Sequence, residues 1–245
     1  MKIGISTACL YPMETERSLE TLSSMGFEVY EVFLNTFREL KPDFLNGLKK
    51  IAGQGRIVSV HPFTSAFESL LFFSDYIRRF EDGLSAYRYF LEAAVTLGAR
   101  LFVLHGQRDY AYSAITEEDY FERYAALYRL GKTYGVTVAQ ENVNRFRSER
   151  PSFVKRMRRY LSEECAFVLD VKQAVRAGED PYEMLTAMGE RLVHVHINDN
   201  LPGRDCLLPG EGQMDYRRMR ELLDRYTYCG DIVLEVYRRD FDTLS

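Results

Sequence analysis

The stretch GLSAYRYFLEAAVTLGARLFVLH, residues 83–105, holds the architectural rule of the whole chain. Apolar residues recur at helical spacing up to Leu97, and Gly98 stands where a helix is expected to stop. RLFVLH (100–105) then reads as a short buried strand that ends on a histidine. A helix capped by glycine and followed at once by an apolar strand is part of a parallel α/β unit, because parallel strands need a crossover.

The same alternation extends in both directions. Strand-like runs are KIGIST (2–7), EVYEVF (28–33), RIVSVH (56–61), RLFVLH, VTVAQE (136–141), AFVLDV (166–171), RLVHVHI (191–197) and DIVLEV (231–236). Helical patterns lie between them, as in SLETLSSMG (18–26), EDYFERYAALYRLGKTYG (118–135) and YRRMRELLDRY (216–226). Gly26 and Gly135 take the same capping place as Gly98. Eight strands with intervening helical segments predict an α/β fold, a (β/α)8 TIM barrel formed as one domain over residues 1–245. An open doubly wound sheet is the alternative. After the eighth strand only YRRDFDTLS (237–245) remains, so the final helix is expected to be short or missing. The barrel is then partly bare there, or covered by a second copy in a homodimer.

Composition narrows the function classes. The net charge is −4 and the pI about 5.7, which argues against a nucleic-acid partner. Cys9, Cys165, Cys206 and Cys229 are scattered without a C-x-x-C pair, the usage of reduced thiols in a cytoplasmic protein. No run approaches the roughly 20 apolar residues of a membrane span. A soluble enzyme without membrane contact is expected.

The chemistry lies at the strand ends. Glu31, His61, His105, Glu141, Asp170, His196 and Glu235 each fall at or within two residues of a strand's C-terminal end. All C-terminal ends share one rim in a barrel, and catalytic groups collect there. His194 shares a face with His196 but sits deeper, as a structural hydrogen-bonding group. Any one polar strand end is usually a satisfied loop-edge group, but seven strands behaving alike call for a common cause. Three carboxylates and an imidazole converging from strands five to eight would repel one another without a cation. Oxygen-rich ligands with one nitrogen suit a divalent ion, with manganese the first choice and magnesium, cobalt or zinc as alternatives.

The motifs VAQEN (138–142), FVLDVKQAVRAG (167–178), VHVHINDN (193–200), LLPGEGQMDY (207–216) and LEVY (234–237) resemble, in order and over essentially the whole chain, the xylose-isomerase-like barrel superfamily. That group contains sugar isomerases and epimerases, such as the tagatose and psicose 3-epimerases, and more distantly endonuclease IV. The resemblance implies Glu141, Asp170, His196 and Glu235 as metal ligands, with Glu141 and Glu235 as the catalytic acid/base pair flanking the substrate. It implies a sugar or sugar-phosphate substrate that is isomerised or epimerised through an enediolate.

Two departures from the superfamily pattern matter. Gln173 replaces the histidine of D-x-x-H, and Cys206 replaces a histidine four residues before G-E-G. Endonuclease IV relies on both of those histidines for its zinc cluster, so DNA cleavage is disfavoured. His61 and His105 are left without a full second metal set and are assigned, with Gln173 and Arg204, to substrate binding. Cys206 is expected to be a buried, inert thiol. Arg108, Arg145, Arg147, Arg150, Arg176, Arg204, Arg238 and Arg239 crowd the loops after strands, and convergence of two or three would favour an anionic sugar. RFRSERP (145–151) is the expected lid. The rival readings are a dehydratase or lyase of inositol-type keto acids, a metal-dependent phosphodiesterase, and a non-catalytic sugar-binding barrel.

Overall fold

A computed structural model describes residues 1–109 and 115–241. The eight apolar runs form the strands β1 (Ile3–Ser6), β2 (Val29–Leu34), β3 (Arg56–Pro62), β4 (Leu101–Leu104), β5 (Thr137–Glu141), β6 (Phe167–Asp170), β7 (Leu192–Ile197) and β10 (Ile232–Leu234). They close as a parallel barrel in the order β1-β10-β7-β6-β5-β4-β3-β2, so the closed alternative holds and the open sheet does not. The two intervening strands, β8 (Asp199–Leu201) and β9 (Arg204–Leu207), form an antiparallel hairpin on the rim after β7. The segment DNLPGRDCLL lacks a clean alternating run and reads as loop, yet it pairs as two short strands.

The helix of the opening stretch starts earlier than its periodicity suggested, at Ile77, and ends at Leu97. Gly98 caps it at φ +81°, a conformation that costs glycine little, and its N–H bonds back into the last turn. The buried face carries Tyr87, Phe90, Leu91, Ala94 and Leu97. Full burial of a leucine such as Leu91 contributes roughly 1.5–3 kcal/mol. Helices Pro42–Ala52, Pro151–Leu161 and Pro181–Met188 each begin on a proline, whose fixed φ suits the first helical position. After β10 the described residues add only a 3-10 turn, Arg238–Asp240, and residues 242–245 of the expected short tail lie outside the described range. No helix among the described residues is long and apolar enough to cross a membrane.

Strand register aims the rim. Asp170 pairs directly with His196, and Val233, two residues before Glu235, also pairs with His196. Asn142 clamps β5 to β6 by donating from its side-chain amide to the Asp170 carbonyl at 2.9 Å and accepting from the Asp170 N–H at 2.8 Å. Glu141, Asp170, His196 and Glu235 thus come from three consecutive strands and their neighbour, on one level.

Candidate metal-binding and catalytic site

Deepest in the barrel lies a polar layer. Glu31 is fully buried and its Oε2 accepts from the Ser59 hydroxyl at 2.8 Å. The same oxygen lies 3.2 Å from His194 Nε2 and 3.0 Å from His196 Nε2. Burial opposes ionisation of Glu31, but the charge on His196 and the hydrogen bonds from both imidazoles outweigh it and hold the carboxyl well below its usual range. A carboxylate on Nε2 fixes the ring of His196 and aims Nδ1 up at the rim.

Above this layer the predicted ligands meet. One ligand atom from each of Glu141, Asp170 and His196 lies within 4.8 Å of the others. His196 Nδ1 is 2.8 Å from Glu235 Oε2, 3.7 Å from Asp170 Oδ2 and 3.8 Å from Glu141 Oε1. Glu235 joins the cluster through His196 and is not itself within the tight three-residue set. Glu141 Oε2, His196 Nδ1 and Glu235 Oε2 are buried and lie close to one another or to an imidazole without a well-directed hydrogen bond. Buried polar atoms are normally satisfied, so orphaned acceptors beside three carboxylates fit a cation. The donor set, oxygen-rich with one imidazole, suits a divalent ion.

His61 and His105 do not stand apart as lining residues. Their Nε2 atoms are 2.9 Å apart, and both face Glu141 Oε2, at 3.5 Å and 3.1 Å. Together with Glu141 they form a second set of ligand atoms within 4.8 Å, a convergence that the two lost histidines did not lead us to expect. Glu141 permits it because its two oxygens face two ways. His61 stacks on Phe33 at 4.5 Å, and Phe146 of the expected lid meets His105 edge-on at 5.8 Å.

The two departures behave differently from ligands. Gln173 donates its backbone N–H to Asp170 Oδ1 at 3.0 Å, while its side-chain carbonyl accepts from Asn144 N at 3.2 Å. Gln173 is thereby tied to the loop after β5. Cys206 is buried, and burial pushes its thiol up to about 12, an unreactive value. Arg204 is exposed at the start of β9, just after the hairpin turn. Arg176 is the arginine held at the rim: it grips Asp205 at 2.6 and 3.0 Å and donates to the Tyr237 hydroxyl at 2.9 Å. With Arg238, Arg239, Tyr237 and Tyr11 it borders a cavity of about 370 Å³ beside Glu235's strand.

Sequence reading passed over one residue of the site. Lys172 is fully buried, and its ammonium donates to Asp170 Oδ2 and, at 2.9 Å, to Glu235 Oε1. Burial disfavours the charged Glu235, yet Lys172 and His196 hold the carboxyl down at about 2. Lys172 stood in plain view in LDVKQ, two residues from Asp170. The signal was a lysine two residues beyond a ligand at the end of an apolar strand.

Known proteins share this fold. The family described as xylose isomerase-like TIM barrel matches residues 19–244. An uncharacterised protein of Mycobacterium leprae is 26% identical over 266 residues, covering 96% of this chain and 89% of its own length. D-psicose 3-epimerase from Clostridium cellulolyticum H10, solved with D-tagatose, superposes with a TM-score of 0.80 at 18% identity, over 97% of this chain and 85% of its own. The IolI protein with a bound zinc atom superposes with a TM-score of 0.75 at 17% identity, over 99% of this chain and 90% of its own.

Proposed function

We infer, from the premise that the chain belongs to the xylose isomerase-like TIM-barrel family, that it is a divalent-metal-assisted isomerase or epimerase of a sugar or sugar phosphate. The observation that carries this reading is the meeting of Glu141 and Glu235 at His196 Nδ1, at 3.8 and 2.8 Å. Glu141, Asp170, His196 and Glu235 would hold the ion, and manganese is the first choice. When bound, the ion supplies Lewis acidity that makes the C–H beside a carbonyl more acidic.

The chain's own residues do the rest. One of the two glutamates takes the proton from carbon, and either returns it to the same or the neighbouring carbon. His105, partly open at 17% exposure, and His61 offer hydrogen bonds to substrate oxygens. Phe33 stacks on His61 and Phe146 meets His105 edge-on, contacts that hold the two rings in place. The test is deuterium incorporation from D₂O into a panel of ketoses and ketose phosphates with Mn²⁺, Mg²⁺, Co²⁺ or Zn²⁺. Exchange at the carbon next to the carbonyl is expected with at least one sugar, and no exchange with any sugar or metal would sink the reading.

A second reading has one observation in its favour. The His61–His105–Glu141 set shares Glu141 with the first cluster, an arrangement able to seat two neighbouring ions for phosphodiester cleavage. Two or three tightly held zinc ions, with cleavage of abasic-site DNA, would replace the isomerase assignment by this one.

A further inference from the structure

Lys172 is the one lysine among the described residues that is fully buried. Lysine is almost never buried without partners, and this one has chosen two of the four carboxyl and imidazole groups assigned to the ion. Asp170 ends β6 and Glu235 follows β10, strands that are separated by β7. The ammonium therefore ties together two non-adjacent strands across His196. It takes one oxygen of each carboxylate and leaves Glu235 Oε2 turned to His196 Nδ1.

We propose that Lys172 is the resident cation of this site: it assembles Asp170 and Glu235 around His196 before any divalent ion enters, and it limits the site to one such ion. The charge balance supports the second part. Glu141, Asp170 and Glu235 bring three negative charges, which one ammonium and one divalent ion neutralise. A second divalent ion would leave two uncompensated positive charges in a buried cluster, and still one once Glu31, which lies within hydrogen-bond distance of His194 and His196, is counted. Lys172 is thus a positioning residue, acting on substrate only through the two carboxylates. The proposal rests on the reading of those groups as an ion-binding set.

The test uses metal-free, chelator-dialysed protein and involves no sugar. Thermal unfolding is recorded with EDTA and with Mn²⁺, and Mn²⁺ affinity is measured by titration calorimetry. The wild-type Tm should be indifferent to EDTA. Lys172→Met should unfold roughly 10 °C lower in EDTA, because two buried carboxylates lose their counter-charge, and recover with Mn²⁺. Its affinity for Mn²⁺ should rise about tenfold, the effect of removing a nearby like charge from the ion. Lys172→Met with Asp170→Asn removes the unpaired charge and should regain most of the lost Tm without metal. If the single variant does not accumulate, that double variant decides: recovery supports the proposal and failure counts against it. A wild-type fold that collapses on chelation, or a Lys172→Met protein with unchanged Tm and affinity, would overturn it. Lack of exchange on every ketose would instead sink the epimerase reading and leave this result standing.

Discussion

The two flanks of the site neutralise their carboxylates by different means. On the β3–β4–β5 flank Glu141 faces two imidazoles, at 3.5 and 3.1 Å, beside the partly open His105. On the β6–β10 flank Asp170 and Glu235 share the ammonium of Lys172, which is closed off from solvent. The first flank reaches solvent through the partly open His105, whereas the ammonium of the second is enclosed between two carboxylates. Glu141 therefore stands on a flank where protons and substrate can come and go, and Glu235 on one that is wired in place. The two glutamates are both expected to serve the reaction, yet they should fail differently when removed.

The largest effect expected follows from that contrast. Glu141→Gln and Glu235→Gln should each lower deuterium exchange by about 10²–10⁴-fold, the usual contribution of an acid/base group. Only Glu235→Gln should also lower Tm, because it strips Lys172 of a partner. Equal losses of stability would erase the distinction between the flanks, and exchange at the wild-type rate would reduce either residue to a ligand. Next in size, His105→Gln should raise KM roughly tenfold while kcat changes little, as for a group that binds ground and transition state alike. A drop in kcat with constant KM would move His105 from binding into the chemistry.

A smaller change is expected in ion number. Restoring the two departed histidines, Gln173→His with Cys206→His, should leave the metal content at the one equivalent expected of the natural chain while Lys172 is in place, and raise it only when Lys172→Met is added, read by elemental analysis. An unchanged count in the triple variant would mean that something other than Lys172 and the missing histidines bars a further ion. The mildest prediction concerns Glu68, which is fully buried beneath the imidazole flank and accepts from Gly106 N at 2.7 Å and the Tyr87 hydroxyl at 3.0 Å. Burial raises its carboxyl to about 7, against the charge of His105 and these hydrogen bonds. A folded acid raised in this way keeps its proton where the unfolded chain has lost it. Stability should then fall as pH climbs from the ordinary carboxylate range to about 7, by at most about 1.4 kcal/mol per pH unit. Glu68→Gln should flatten that slope in Tm measured across the window; a slope that persists would assign it to other groups.

The legible part of this protein was the part governed by local periodicity. Period-two alternation placed Glu141, Asp170, His196 and Glu235 at strand ends, and a closed parallel barrel has only one rim for such ends. His194 was legible as the deeper neighbour of His196 by the same rule, and it indeed bonds Glu31 and Ser59 below the rim. What failed to show were pairings made after the strand ends, where no period operates. Gln173, assigned to substrate, spends its carbonyl on Asn144. Arg204, also assigned to substrate, is exposed on a hairpin that the residue pattern did not reveal, while Arg176 reaches the rim.

The amino-acid sequence by itself determined the order of strands and helices and the strand ends at which its polar side chains gather, because each follows from spacing along the chain and from glycine stops. Which of those side chains touch was decided only by tertiary structure. Lys172 shows why: its distance along the chain to Glu235 is 63 residues, and its position two residues beyond Asp170 says nothing of where a four-carbon stem will carry its ammonium. That choice was made when β7 packed between β6 and β10 and left two buried carboxylates one cation apart.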